Sequence, residues 1–483
     1  MEPEPLPTGA LAPADSTSIA RKLSVAASRS LPLDEFYLKG PIPFTVPKKI
    51  EDVDAQFFTN LLRAQNLLAP DNEVTDLDSK VIGADKGFTS TVMLAKLTYK
   101  SPPLPDTSPD KLVVKIMGAD LRIKGLIDSY IVHHVIFPNE IRFFAENKDA
   151  SCPAHYPTNY FAHSRGTDHF MVMEDLSDDA ICGDGAAGGA SYDQCVQVML
   201  YLAKLHGHFW GKRHEAKSPS SVQNLFAGSD LNIYPLLLKK VMPTGFKVFA
   251  KAFPHIMEKI GADTINVMSK VRKEARSTAH HNKHAHRLPP QKWKAIARIY
   301  RSEPMTLCHG DMKLDNIFFK KSDGSVIAVD WGVSGWGNPM ADLSYFFGRS
   351  VDSEDRRKWW DDLLDIYLNE LVKVNPSLKS TYTKEKMLQD LSYTSLVPFF
   401  TVCGTLKGLA DDVNNGTGPF APEGQRTKDD QIKRHWMDQS LTRVAEMIND
   451  LNIKESLEST LLKVDPSLPV IPCCCFWTMW GNR

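Results

Sequence analysis

The sequence lacks several features that define common classes of protein. None of its apolar runs reaches the about 18 residues that a membrane-spanning helix needs, so no spanning helix is expected. The formal net charge is −1, which removes the overall positive charge typical of nucleic-acid-binding proteins. The first residues include Glu2 and Glu4 without an apolar core segment, which argues against a secretory signal. With 42% hydrophobic and 24% charged residues, we expect a globular protein.

The cysteines also lack the spacing of a disulfide framework or a structural zinc site. There are eight, with no C-x-x-C pair, and three are adjacent at Cys473, Cys474 and Cys475. This usage favours a reducing compartment, and we predict a cytoplasmic protein. The adjacent cysteines lie beside Phe476 and Trp477, so acylation and weak membrane contact are one reading of this tail, although we favour a frayed terminus.

The most informative stretch is Leu307–Asp330, which the pattern predicts to contain a β-hairpin. Two apolar runs, 316–319 and 326–329, flank a polar turn at Asp323-Gly324. An Asp-Gly turn between apolar runs is typical of a hairpin, here with a loop longer than two residues. Because a hairpin brings its ends together, the residues before and after it should lie close in space.

Those two ends carry the oxygen-bearing side chains that phosphoryl transfer requires. His309-Gly310-Asp311 and Asn316 lie on the entering side, and Asp330 lies on the leaving side. Asn316 and Asp330 can ligate Mg²⁺, and Asp311 can accept the proton of the hydroxyl that is phosphorylated. An ordinary hairpin with polar ends is the alternative, but it does not account for the joint pattern.

The pattern H-G-D-x-x-x-x-N, followed by Asp330, resembles the aminoglycoside phosphotransferase and choline kinase superfamily. The segment Leu202–Trp210 is similar to a helix of its ecdysteroid-kinase-like branch, and Gly337–Leu343 matches the pattern G-x-P-x-x-D-L. This resemblance implies an α+β, two-lobed protein-kinase-like fold, with a small antiparallel β-sheet N-lobe and a large, mainly helical C-lobe. It also implies ATP and Mg²⁺ as cofactors and a small-molecule hydroxyl as acceptor.

We expect four regions along the chain. Residues 1–45, rich in Pro, Ser and Ala, form a disordered tail. Residues 46–175 form the N-lobe, residues 176–460 form the C-lobe with the catalytic hairpin and an acceptor-binding insert, and residues 461–483 form a C-terminal tail. The resemblance makes 174–176 the hinge, where backbone groups from Glu174 to Leu176 would read the adenine edge.

Nucleotide phosphates would be held from the N-lobe. Gly83 and Gly87 precede a strand and could let the backbone approach phosphates, although a plain turn explains them as well. Lys115 lies in a β-branched apolar run, where an ammonium is costly unless it is paired. Glu140 is the candidate partner and Glu146 the competitor, whereas an edge-strand lysine pointing outward is the alternative for Lys115.

Other polar residues are assigned structural roles. We expect His206 to be a packed, hydrogen-bonded core residue, and Asp342 to brace the catalytic loop or cap amides. The cluster His280, His281, His284 and His286 is interpreted as a solvated charged stretch, because no carboxylate or cysteine stands at metal-ligand spacing. In the catalytic turn, His309 shapes the backbone, and Lys313 offsets charge on the transferred group.

The sequence therefore predicts an ATP-dependent, Mg²⁺-dependent phosphotransferase acting on a small-molecule hydroxyl. Two alternatives remain: a catalytically inactive nucleotide-binding module of the same fold, and a protein kinase acting on Ser, Thr or Tyr. His-Gly-Asp in place of H-R-D and the lack of an A-P-E segment argue against the second. No residue pattern identifies the acceptor.

Overall fold

The computed structural model describes residues 42–82, 90–102, 108–117, 136–146, 152–165, 168–185, 188–212, 242–265 and 304–456. The small lobe contains a five-stranded antiparallel sheet with the strand order β1-β2-β3-β5-β4. Its strands are β1 Val74–Ile82, β2 Ser90–Tyr99, β3 Lys111–Met117, β4 Asn159–Arg165 and β5 Asp168–Glu174.

Helix α1, Ala55–Ala64, covers one face of this sheet. Asp54 caps the helix by accepting a hydrogen bond from the Phe57 amide at 2.7 Å. Alternate residues of β2 are buried, namely Met93, Ala95 and Leu97, as expected for a strand with one covered face. The predicted small antiparallel lobe is therefore confirmed.

Strand β3 lies in the middle of the sheet. Lys115 is paired with Val92 on β2 and with Met171 on β5. It is therefore not an edge-strand lysine, and the alternative reading of that residue is wrong. Helix α2, Phe137–Glu146, packs against β4 and β5 and carries Glu140.

The large lobe is mainly helical, as expected. Its described helices are α3 Tyr192–Phe209, α4 Met242–Ala252, α5 Pro254–Ile260, α6 Met340–Ser350, α7 Ser353–Val374, α8 Lys384–Thr394, α9 Leu396–Gly408, α10 Ala410–Asn415 and α11 Lys428–Asp450. Ser191 and Gln194 form the predicted capping box of α3. Pro398 lies in the first turn of α9, where its missing N–H costs no helical hydrogen bond. Among the described helices, none combines the length and apolar character needed to cross a bilayer.

Two short sheets hold the predicted catalytic segment. Their strands are β6 Ala180–Cys182, β7 Thr306–Cys308, β8 Ile317–Lys320, β9 Val326–Ala328 and β10 Gly335–Gly337. Strands β8 and β9 form the predicted hairpin, and β7 pairs with β10. The segment between β7 and β10 is thus tied at both ends, which fixes the loop that carries Asp311 and Asp330.

Candidate active site

Lys115 joins the two lobes at the site. Its ammonium donates to Glu140 Oε2 at 2.7 Å, to Glu140 Oε1 at 2.9 Å and to Asp330 Oδ1 at 3.0 Å. Only 8% of Lys115 and 1% of Glu140 is exposed, so both charges depend on each other for stabilisation. Burial opposes the charged form, but Asp330 and Glu140 outweigh it and raise the pKa of Lys115 above its usual value. Glu140, the candidate partner, is therefore paired with Lys115, whereas the side chain of its competitor Glu146 lies outside the described part of the chain.

Asp330 adopts a backbone conformation that few non-glycine residues take. Its φ is 67°, in the left-handed region where Asp and Asn are the most tolerated side chains. The Lys115 ammonium, against the opposing effect of burial, lowers the pKa of Asp330 below its ordinary value. The next residue, Trp331, is fully buried and stacks on Phe143 of α2 with ring centroids 3.7 Å apart. Asp330 therefore ends the hairpin anchored to both the sheet lysine and helix α2.

The Asp311 carboxylate is held by two neighbours in the same turn. Lys313 Nζ donates to Asp311 Oδ2 at 2.7 Å, and Asn316 Nδ2 donates to the same oxygen at 2.8 Å. Asn316 Nδ2 also donates to the Asp311 carbonyl at 2.9 Å. Two donors on one oxygen fix the orientation of the carboxylate, which is what a proton acceptor in catalysis requires.

The two ends of the hairpin meet through Val329. Its amide donates to the Asn316 carbonyl at 3.0 Å, and its carbonyl accepts a hydrogen bond from His309 Nε2 at 3.0 Å. Asn316 and His309 therefore lie directly beside the residue that precedes Asp330. The hairpin brings together the side chains that the sequence places fourteen residues apart.

His309 is an internal support of this turn. It is fully buried, its Nδ1 accepts a hydrogen bond from the Asp311 amide, and its ring contacts Trp331. Burial, against the nearby carboxylates, lowers the pKa of His309 below its ordinary value. With Nε2 donating and Nδ1 accepting, the neutral ring satisfies both bonds, so His309 orients the backbone.

Asp342 fixes the backbone of the catalytic loop through hydrogen bonds. Its carboxylate, on α6, accepts hydrogen bonds from the His309 amide at 2.7 Å and from the Gly310 amide at 2.8 Å. Gly310 has a φ of 84°, a conformation that favours glycine. His206 Nε2 lies 3.2 Å from the same carboxylate, and His206 Nδ1 lies 2.9 Å from the Tyr367 hydroxyl. The expected bracing role of Asp342 and the core role of His206 are both borne out by these contacts.

The oxygens near Asp330 fit a hard divalent cation. Asn316 uses its Nδ2 on Asp311, and Asp330 uses its Oδ1 on Lys115. In the part of the chain that the structure describes, Asn316 Oδ1 and Asp330 Oδ2 make no hydrogen bond. One amide oxygen and one carboxylate oxygen are the ligand types that Mg²⁺ prefers. The site chemistry is therefore compatible with magnesium.

The remaining predicted residues either lie outside the described part of the chain or make contacts that do not test their predicted roles. Gly83, Gly87, the histidines between His280 and His286 and the adjacent cysteines at 473–475 lie outside the described residues. Glu174 Oε2 accepts a hydrogen bond from the Thr158 amide at 2.9 Å, so its side chain braces the start of β4. Leu176 is buried at 5% exposure in a small cluster with Ala180 and Ile327. These contacts involve the side chains of Glu174 and Leu176 and do not test the predicted role of the backbone.

Two residues of the site were missed by sequence reasoning. Asn139, next to Glu140, donates to the carbonyls of Gly332 and Ser334 at 3.1 and 2.8 Å, and so holds the chain that follows Asp330. Tyr345 is buried, and burial, with the nearby Asp311 charge, raises the pKa of its hydroxyl well above its usual value. The only available signal was position: Asn139 adjoins the paired glutamate, and Tyr345 lies one helical turn after Asp342.

Comparison with known proteins identifies the family to which the sequence is similar. The model of the ecdysteroid kinase-like family matches residues 85–380, well over half of the chain. The acyl-CoA dehydrogenase family member 11 of Rattus norvegicus is 31% identical over 113 residues, which cover 21% of this chain and 14% of that protein. The chain therefore matches only a small part of that relative's length.

Solved structures of small-molecule kinases are similar at low identity. A choline kinase from Cryptosporidium parvum gives a TM-score of 0.41 at 10% identity, covering 80% of this chain and 93% of that one. A microcompartment-associated aminopropanol kinase gives a TM-score of 0.43 at 10% identity, covering 84% and 98%.

Proposed function

The chain belongs to the ecdysteroid kinase-like family, and from this premise we propose that it is an ATP-dependent phosphotransferase acting on a hydroxyl of a small molecule. The observation that supports the proposal most directly is the buried Lys115 ammonium bonded to both Glu140 and Asp330. A buried ion pair of this kind is costly to maintain for stability alone. It is well suited to binding polyphosphate, because it presents a fixed ammonium beside a carboxylate that can face a cation.

On the nucleotide side, Lys115 would bind phosphate oxygens and Glu140 would keep the ammonium in place. Gly83 and Gly87 would cover the phosphates, and backbone groups from Glu174 to Leu176 would bind the adenine edge. Asn316 and Asp330 would hold Mg²⁺, which when bound supplies positive charge beside the phosphate oxygens. We assign residues 46–175 to this nucleotide-binding lobe and residues 176–460 to the catalytic and acceptor-binding lobe, between tails at 1–45 and 461–483.

On the acceptor side, Asp311 would accept the proton of the attacking hydroxyl. Its carboxylate is held in one orientation by Lys313 and Asn316, so little reorganisation is needed when the acceptor binds. Lys313 would also offset negative charge on the transferred group. His309 and Asp342 contribute by fixing the backbone of the turn, since neither is exposed to a ligand.

A metabolite-library screen with purified protein, ATP and Mg²⁺ tests this function and identifies the acceptor. On the acceptor found, Asp311→Ala should lower kcat by roughly 10²–10⁴ while nucleotide affinity stays unchanged. Asp330→Ala should also lose Mg²⁺-dependent nucleotide binding. The control is Asp323→Asn, an exposed carboxylate at the tip of the same hairpin, which should transfer phosphate normally.

Two outcomes would contradict the proposal. Wild-type turnover by Asp311→Ala would show that another group accepts the proton. Mg²⁺-dependent nucleotide binding without transfer to any acceptor would indicate the inactive binding module instead.

A further inference from the structure

One face of helix α6 runs past the catalytic loop and continues beyond it. Asp342, Tyr345 and Arg349 lie three and four residues apart, so they share this face. Asp342 holds the amides of His309 and Gly310. Burial, with the Asp311 charge nearby, raises the pKa of the Tyr345 hydroxyl. Arg349 lies one helical turn beyond Tyr345, and the next residue, Ser350, accepts a hydrogen bond from the Leu314 amide of the catalytic turn at 3.0 Å.

Trp436 of helix α11 places its indole ring near this face of α6. The guanidinium carbon of Arg349 lies 5.2 Å from the ring centroid of Trp436 and 5.9 Å from that of Tyr345. Gly185 separates Trp436 from the catalytic turn: a Cβ placed there would lie 3.5 Å from Trp436 Nε1 and 3.1 Å from Asp315 Oδ2. Tyr345, Arg349 and Trp436 thus lie together beside the part of the catalytic turn that carries Asp315, and we call them the acceptor wall.

The guanidinium in this wall has unused hydrogen-bonding capacity. Arg349 Nε is buried and makes no hydrogen bond, and among the described residues no carboxylate forms an ion pair with the side chain. Arg434 offers a contrast on α11: it stacks on Phe253 at 4.4 Å, but it also pairs with Asp438 at 2.9 Å. The buried Nε–H is unfavourable without an oxygen partner, because it has lost water without replacement, whereas the two Nη groups are not among the buried unpaired atoms and can meet a ligand.

We propose that Arg349 sets the acceptor class, so that the site selects hydroxyl compounds presenting a second oxygen to the guanidinium and excludes quaternary-ammonium acceptors. The inference rests on the proposed function, since that function assigns the acceptor to the side of the catalytic turn on which the wall lies. Aromatic faces attract cations, and quaternary ammonium groups are commonly bound in this way. Here the protein's own cation occupies the faces of Tyr345 and Trp436, so an ammonium would meet like charge.

A guanidinium favours ligands that present oxygen acceptors, and not cations. Its donors lie in one plane and match carbonyl, carboxylate and other oxygen acceptors. Contact with two aromatic rings restricts the guanidinium before a ligand arrives, which reduces the entropy lost on binding. An acceptor oxygen would satisfy the donors that the described chain leaves unused.

Three small alcohols that differ mainly in charge and oxygen content provide the test. They are choline, its neutral carbon isostere in which carbon replaces the quaternary nitrogen, and hydroxybutyrate. Binding to the protein loaded with a non-hydrolysable ATP analogue and Mg²⁺ is followed by saturation-transfer NMR. The variants are Arg349→Met, which keeps the apolar stem, and Arg349→Gln, which keeps a donor without the charge. The matched control is Arg434→Met, which removes a stacked arginine remote from the catalytic loop.

The wild-type protein should bind hydroxybutyrate most tightly, the neutral isostere less tightly and choline most weakly. Arg349→Met should weaken hydroxybutyrate binding by about tenfold and strengthen choline binding relative to the isostere, because the aromatic faces become available. Arg349→Gln should retain part of the hydroxybutyrate binding, and Arg434→Met should follow the wild-type order.

Tighter wild-type binding of choline than of its isostere would overturn the inference, as would an unchanged order in both Arg349 variants. The readout is separate from catalysis. A changed order in the Arg349 variants together with full transfer by Asp311→Ala would support selection by Arg349 and refute the proposed base. An unchanged order with the expected loss in Asp311→Ala would refute only the selection.

Discussion

Replacing Asp342 by Asn tests how far the catalytic loop depends on one buried carboxylate. Asp342 is fully buried, and its two oxygens accept the His309 and Gly310 amides at 2.7 and 2.8 Å. The substituted amide side chain would have the same shape, but only one of its two polar atoms accepts. Its NH₂ group would face a backbone N–H or His206 Nε2, so a buried donor would meet a donor.

The expected cost follows from these contacts. A hydrogen bond to a charged group contributes about 1.5–3 kcal/mol, and leaving a buried donor unsatisfied costs about 1–3 kcal/mol. Asp342→Asn should therefore lower the free energy of unfolding by about 3–5 kcal/mol, the range typical of a broken buried charge interaction. Because the displaced amides belong to the turn that orients Asp311, phosphate transfer per folded molecule should fall as well.

The assay pairs urea unfolding, followed by tryptophan fluorescence, with turnover at a temperature where the variant is folded. The matched control is Asp390→Asn on α8. Asp390 is also buried, at 1% exposure, and pairs with Lys386 at 2.7 Å, but it does not touch the catalytic loop. It should lose stability and keep its turnover. A wild-type unfolding midpoint for Asp342→Asn, or equal losses of turnover in both variants, would refute the reasoning.

Two further predictions concern pH and helix capping. Burial lowers the folded-state pKa of His309, so below its ordinary value of about 6.5 the unfolded chain binds a proton that the folded chain does not. Stability should thus decline as pH falls below about 6.5, and urea midpoints of His309→Gln should show a weaker decline in that window. Ser191→Ala removes the side-chain acceptor of the Gln194 amide and should cost about 1 kcal/mol; an unchanged midpoint would show that the cap is dispensable.

Local sequence patterns were sufficient to predict the hairpin that carries the site residues and the start of helix α3. The Asp-Gly turn between apolar runs predicted the β8–β9 hairpin, and Ser191 with Gln194 predicted the start of α3. The pattern from His309 to Asp330 predicted which residues would meet at the hairpin mouth. These predictions succeed because each depends on residues close in sequence, where hydrogen bonding and side-chain periodicity decide the conformation.

Long-range pairing was decided only by the tertiary structure. Lys115 and Asp330 are 215 residues apart. The sequence proposed Glu140 as the partner of Lys115 with Glu146 as a competitor, and the packing of α2 against the sheet and Trp331 brings Glu140 to the ammonium. Likewise, α6 and α11 bring Arg349 and Trp436 together although neither belongs to a recognisable motif. Sequence by itself determined the chemical groups and their local order. Their mutual distances depend on the packing of separate helices and sheets, which no local propensity encodes.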